Sequence, residues 1–266
     1  DQRALERQSA MIAQVIESRR HQLGYDLASL ANRDDTLVNT KLAFNFNWVH
    51  ANIGTWAHAF LDHGRSVLLN ANGRPLYVMN DGAPADLATY GAMAGTVDIL
   101  VSRLRSMSPG LPQALGKTTP RAATDFALIE GMPAIVGVMA ITSDTGRLTQ
   151  IPGSEFIIAA AFFLDEAASG KISREYMFED GHFTLVDNVR TDRASHPILN
   201  DAGRFIAFFE WERDRPGLML LRQTGPALIG AFAIAAILVV LLLGQLQRSA
   251  AALEAGRRHA EHQAAH

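Results

Sequence analysis

The longest apolar run lies late in the chain. No charged residue occurs between Arg222 and Arg248, and from Pro226 to Leu243 almost every position is apolar. A helix needs about 20 apolar residues to cross roughly 30 Å of hydrocarbon. Residues 223–247 are therefore expected to form a transmembrane helix. A buried core helix would keep a polar face, and this stretch has none. Three arginines precede it (Arg213, Arg215, Arg222) and three follow (Arg248, Arg257, Arg258), so flanking charge does not orient it.

Elsewhere the periodicity is that of a folded domain. Leu5, Ser9, Ile12, Ile16, Arg19 and Leu23 fall at alternating steps of four and three, predicting a helix over residues 1–24 with a coiled-coil stripe. Gly24 is expected to interrupt it. Short helices are expected over 34–62, and a hairpin over Ser66 to Met79, where Asn72-Gly73 separates two apolar runs. Asp86 to Met107 reads as a helix, ended by a loop containing Pro109, Gly110 and Pro112. Strands are expected at Ala134–Thr142, Glu155–Leu164, His182–Val186 and Arg204–Trp211, with a helix at Asp165–Met177. Helices interrupting an antiparallel succession of strands predict an α+β domain around one central sheet. After the apolar run, Leu246, Ala250, Leu253, Ala260 and Ala264 resume four-three steps, predicting a linker helix that pairs with a copy of itself.

Composition narrows the chemistry. The 266 residues include no cysteine, which excludes disulfides and thiol catalysis. Lys and Arg total 24 against 27 Asp and Glu, a balance that argues against nucleic acid as a partner. The chain starts at Asp1 with no signal peptide or first membrane helix, and reads as a fragment of a longer protein.

Candidate site residues each have a plain structural alternative. Asp34 and Asp35 suit a ligand amine or cation, or the charged first turn of a helix. Trp48 and Trp56 suit a pocket wall or core packing. Tyr77 is placed to aim its hydroxyl into a cavity. His50, His58 and His63, with Asp62, lack a usual zinc spacing. Gly153-Ser154 lacks a nucleophile-elbow context, and Gly91 to Gly95 is not a phosphate loop. No catalytic residue, metal site or cofactor is therefore assigned, and a membrane-anchored hydrolase finds no nucleophile with its base.

Asn47-Trp48-Val49-His50-Ala51-Asn52-Ile53-Gly54 and Asn72-Gly73-Arg74-Pro75-Leu76-Tyr77 resemble the CHASE sensory domains, in particular the fourth subtype. Arg213-Asp214-Arg215-Pro216-Gly217, the apolar run, and Arg248-Ser249-Ala250-Ala251-Ala252-Leu253-Glu254-Ala255 resemble the same group. Its Trp-Asp-Asp element aligns with Arg33-Asp34-Asp35, with Arg in the aromatic place. The resemblance implies a PAS-like or Cache-like sensor between two membrane helices of a bacterial inner-membrane receptor. The expected layout is a membrane-proximal helix (1–30), a periplasmic sensor (31–215), the membrane helix (223–247) and a cytoplasmic linker (248–266). The implied partners are an unknown small-molecule signal, membrane lipid and a second copy in a homodimer. The implied output is a diguanylate cyclase (GGDEF) domain, with or without a phosphodiesterase (EAL) domain. A histidine kinase is the alternative, separable by the residues that follow.

Overall fold

The four-three stripe becomes one face of α1, Gln2–Ala31. It does not wait for a partner chain. Ile12, Ile16 and Leu23 are buried in the chain's own domain, and Leu27, Leu30 and Ala31 extend the same face. The two polar members of the stripe have partners as well. Ser9 Oγ lies 2.9 Å from His196 Nδ1, and the Arg19 guanidinium lies 6.0 Å from the centre of the Phe162 ring. The stripe is thus an internal packing surface, and a homodimer would need another. Nor does Gly24 end the helix. A helical glycine costs about 1 kcal/mol relative to alanine, and here its bare Cα accommodates Ala122, whose Cβ would stand 3.4 Å from a Cβ at position 24.

The computed structural model describes residues 2–107, 122–186 and 193–213, together with residues 226, 228–235, 237–239 and 242. Residues 1–213 form one compact unit and 214–266 a second. After α1 the chain breaks into short helical pieces: α2 (Asp34–Leu37), a π-helical turn (Val38–Leu42), α3 (Phe46–Val49), a second π-helical stretch (His50–Thr55) and α4 (Trp56–Leu61). The hairpin follows as β1 (Arg65–Leu69) and β2 (Pro75–Asn80). Its turn is held by Asn70, whose side-chain oxygen accepts from the Asn72 and Arg74 backbone N–H groups at 2.9 and 3.0 Å. Gly73 supplies the positive φ of 76° that the turn requires.

Next come β3 (Ala83–Pro84), a 3₁₀ turn (Leu87–Tyr90) and α5 (Gly91–Ser106). Strands β4 (Ala123–Ile129), β5 (Met132–Ala140) and β6 (Ile157–Phe163) complete an antiparallel sheet of order β3-β2-β1-β6-β5-β4. Helix α6 (Glu166–Tyr176) is capped by Asp165, which accepts from the Ala168 N–H at 2.9 Å.

The fold is α+β, but the expectation of a single sheet is corrected. β7 (His182–Thr184), β8 (Arg193–Leu199) and β9 (Phe205–Glu212) form a second antiparallel sheet, ordered β7-β9-β8. Its core is aromatic: Phe178 meets Phe209 and Trp211 edge-on at 5.6 and 5.4 Å.

The central sheet is covered on both faces. Along β5, Ile135 and Met139 turn toward the core shared with α1, while Ala134, Val136 and Val138 turn toward α5 through Met93, Val97 and Leu100. Burial on both sides explains the continuous apolar run of this strand. Between Ile135 and Met139 sits Gly137, where an added Cβ would meet Leu27 Cδ1 at 2.7 Å and Leu23 Cδ2 at 3.2 Å. Helix α1 therefore rests on bare strand backbone.

A polar knot ties the layers together. Arg20 donates to the Thr124 carbonyl at 2.7 Å and to Asp201 Oδ2 at 2.8 Å. Arg103 of α5 also donates to Asp201, and the Asp201 N–H donates to Asp125 Oδ1 at 2.9 Å. Partial burial pulls the Asp201 carboxyl upward, but the hydrogen bonds and charges of Arg20, and then of Arg103, outweigh it and hold it below the usual range.

The described residues between Pro226 and Leu242 are helical. Leu228, Ile229, Phe232 and Ile234 are all exposed there. Among the described residues, no helix is long and apolar enough to cross a membrane. The expected 109–121 loop and the 248–266 linker helix lie outside the described residues.

Replacing Gly137 with Val should lower the melting temperature of the 1–213 unit. Overpacking costs about 1–3 kcal/mol, and each kcal/mol is worth roughly 2–4 °C in a domain of this size. Circular dichroism melts check this; an unchanged melting point would show that α1 can stand off the strand.

Candidate ligand site

The two π-helical stretches mark where the fold departs from regular helix, and π-turns recur at functional sites. In the first and in α2 just before it, hydroxyls take up backbone acceptors: Thr36 Oγ1 donates to the Leu30 carbonyl and Thr40 Oγ1 to the Thr36 carbonyl, both at 2.6 Å. Such back-bonding bends a helix. The widened turn carries Lys41 and Leu42 toward the long loop between β5 and β6. Between them lies an open groove of about 450 Å³. Leu37, Lys41 and Leu42 form one wall, and Arg147, Leu148, Gln150, Ile151 and Ser154 line the other.

Lys41 bridges the walls. Its Nζ donates to Gln150 Oε1 at 2.9 Å, to the Ser154 carbonyl at 2.7 Å and to Ser154 Oγ at 2.8 Å. All three acceptors are neutral. Gln150 in turn donates to the Ile141 carbonyl at 2.8 Å, fixing the loop on the end of β5.

The groove is hung from the C-terminal end of α1. Thr142 N–H donates to the Ala31 carbonyl at 3.1 Å, and Thr142 Oγ1 donates to Asn32 Oδ1 at 3.1 Å. Asp34 adds a staple: its carboxylate accepts from Ser143 Oγ and Thr145 Oγ1, each at 2.5 Å. The Ser143 bond first, and the Thr145 bond second, hold that carboxyl below the usual range.

A second cluster lies where the other π-helical stretch meets β2. The Tyr77 hydroxyl is 2.9 Å from His50 Nδ1, and the Phe46 ring meets the Tyr77 ring edge-on at 5.7 Å. Burial pushes the phenol up to about 12. The hydroxyl packs against Gly54, where an added Cβ would stand only 2.1 Å from the Tyr77 oxygen.

A family model described as the CHASE4 domain matches residues 15–184. The chain belongs to the CHASE4 family. CHASE4 domains are extracellular sensor domains of membrane signalling receptors, not catalytic domains. The match spans the central sheet and the groove, and stops before β8 and β9. No curated protein matches the chain.

Against that CHASE4 frame, the residues singled out from the sequence separate. Asp34 stands beside the groove as the staple of its loop. Asp35 is exposed and lies 3.7 Å from Arg33. Trp48 is half-buried against the main core. Trp56 stacks on Phe60 at 5.5 Å, and both rings are exposed. Tyr77 is joined to His50 and Phe46, not to either tryptophan. Sequence reasoning missed the groove residues Lys41 and Arg147, which lie 106 positions apart and belong to no local motif. The three histidines do not converge. His50 faces Tyr77, and His58 Nδ1 lies 3.1 Å from the His63 carbonyl. His63 is fully buried, its Nε2 4.0 Å from Asp26 Oδ2 of α1. Among the described residues, no cluster of three His, Cys, Asp or Glu side chains is placed to hold a metal.

The fit of Tyr77 on Gly54 predicts non-additivity. Gly54→Ala should destabilise the domain by about 1–3 kcal/mol, and Tyr77→Phe by about 1 kcal/mol. The double variant should cost less than their sum, since removing the hydroxyl relieves the overlap. Urea unfolding of all four proteins tests this, and strict additivity would contradict the contact.

His63 predicts acid sensitivity. Burial pushes its imidazole down to about 4, against a smaller upward pull from Asp62. The neutral ring makes no ion pair with Asp26, whose own carboxyl burial raises. An unfolded histidine takes up its proton near 6.5. Between pH 6.5 and about 4 the unfolded chain therefore binds a proton that the folded chain does not. The His63 contribution to stability is complete above pH 6.5 and declines as the pH falls to about 4. Denaturant titrations at pH 7 and pH 5 should show a smaller loss for His63→Gln than for the native protein; equal losses would show that the buried ring keeps its proton.

Proposed function

We propose that this chain is the extracytoplasmic signal-input half of a transmembrane receptor of the bacterial inner membrane. In this reading residues 223–247 cross the bilayer, and 248–266 carry the signal to a cytoplasmic diguanylate cyclase. The observation that carries the reading is that the domain is entered and left at one place. Gln8 Oε1, near the start of α1, accepts from Trp211 Nε1, near the end of β9, at 3.1 Å, although 203 residues separate them. A change that moves the Gln8 end of α1 therefore reaches the Trp211 end of β9 as well. The exposed aliphatic and aromatic side chains of the 226–242 helix support lipid as their surroundings. The antiparallel sheet, with its first strand beside its last, supports a PAS-like sensor.

Signal binding then works by population shift. A small-molecule signal favours one packing of the groove walls over another, α1 follows through its bonds to Thr142, and the membrane segment responds. A cyclase joins two substrates between paired catalytic domains, so the geometry of a receptor homodimer is the natural point of control. The α1 stripe is occupied, so pairing falls to the membrane segment and the linker helix.

Reporter fusions behind an export signal test the topology. An enzyme active only in the periplasm should work when joined after Arg215 and fall silent when joined after His266. Activity at both positions would show that residues 223–247 do not stop in the membrane.

A further inference from the structure

The groove between the Val38–Leu42 π-turn and the 147–154 loop has a chemistry that restricts what can fill it. We propose that it is the signal site, and that its ligand is a small amphipathic organic anion, an apolar body ended by a carboxylate. This deepens the sensor reading and rests on it.

Size comes first. About 450 Å³ falls within the roughly 300–1,000 Å³ of small-molecule sites. The body of the ligand follows from Leu37, Leu42, Leu148 and Ile151, four aliphatic side chains that converge on the space. Ile151 is 76% exposed and stands open to whatever enters the groove.

Charge supplies the other end. The lining holds two cations, Lys41 and Arg147, and no carboxylate. Lys41 is part-buried, and its three hydrogen bonds run to neutral oxygens. Neither cation has an ion-pair partner among the described residues. A partly desolvated ammonium without a counter-charge is costly, and an anion in the groove offsets that cost.

The two cations have different roles. An ammonium has three donors, and those of Lys41 are already engaged, so Lys41 acts on the ligand through its field alone. Arg147 is exposed, and its guanidinium makes no hydrogen bond among the described residues, leaving a planar fork free for a carboxylate. Arg147 is accordingly the residue that touches the anion.

The groove also has a route to α1. The same loop that carries Arg147 begins at Ser143 and Thr145, both bonded to Asp34 two residues beyond Asn32. Drawing Arg147 over a bound carboxylate pulls on this staple and on the adjoining Thr142–Ala31 bond.

The test is calorimetric titration of the full chain, held in zwitterionic lipid nanodiscs, with hexanoate, acetate, hexylammonium and hexanol as probes. Hexanoate should saturate one site. Acetate lacks the apolar body and hexylammonium carries the wrong charge, so each should bind at least about tenfold more weakly. Arg147→Gln should weaken hexanoate by about tenfold or more, the loss expected for a charge-assisted hydrogen bond, and leave hexanol unchanged. Ile151→Ser, which removes the apolar contact without adding charge, should weaken hexanoate and hexanol alike. Absence of saturable hexanoate binding, tighter binding of hexylammonium, or indifference of hexanoate to Arg147→Gln would each overturn the assignment. The reporter fusions read topology independently, so a receptor that passes that test and fails this one has lost its ligand class and not its function.

Discussion

Helix α1 lies against a strand that has no side chain at the point of contact. Leu23 and Leu27 occupy the space over Gly137 that any other residue would fill, and this closeness sets the distance between helix and sheet. From that distance the rest follows. Arg20 reaches the Thr124 carbonyl and Asp201, Ser9 reaches His196, and Gln8 reaches Trp211. One helix thus serves as the common wall of both sheets. Close-packed interiors move between discrete arrangements and resist gradual deformation. A helix held at so many points therefore shifts as a body.

The groove hangs from the far end of the same helix. Its walls are a π-turn and a loop; the loop is tied to residues 31–34 by hydrogen bonds of 2.5–3.1 Å, and the π-turn opens with the Val38 N–H donating to the Asp34 carbonyl. Irregular backbone is where a domain can hold two conformations of similar energy. A ligand needs only a few kcal/mol of differential affinity to choose between them. In the proposed reading, the regular part of α1 carries that choice toward Gln8 and its contact with Trp211.

Much of this architecture was legible in the sequence, and the failures have physical causes. The hairpin was plain because Asn72-Gly73 permits few alternatives. β5 and β6 were plain because strands buried on both faces read as unbroken apolar runs. β8 was missed because Pro197 stands inside it, and a proline argues against a strand. β4 was missed because Asp125 interrupts its apolar pattern; the structure buries that carboxylate against the Phe126 and Asp201 N–H groups. The α1 stripe was read correctly as apolar and wrongly as a coiled-coil seam, since spacing says nothing about which surface will cover it. Asp34, singled out by its charge, stands beside the groove, while Tyr77, singled out by its strand, lies in a separate cluster with His50 and Phe46. Lys41 and Arg147 left no local signal, because only the fold brings residues so far apart in sequence to one groove.

The proline in β8 has a consequence for how copies of the domain meet one another. Open sheet margins invite strands from neighbouring molecules, and tethering to a surface raises the local concentration at which they would meet. β8 forms one margin of the smaller sheet, and Pro197 strips a donor from it. The opposite margin, β7, is only three residues long. The larger sheet ends on one side in β3, two residues of which the second is Pro84. Among the described residues, three of the four margins thus offer little to a passing strand, which disfavours edge-to-edge pairing between copies of the domain.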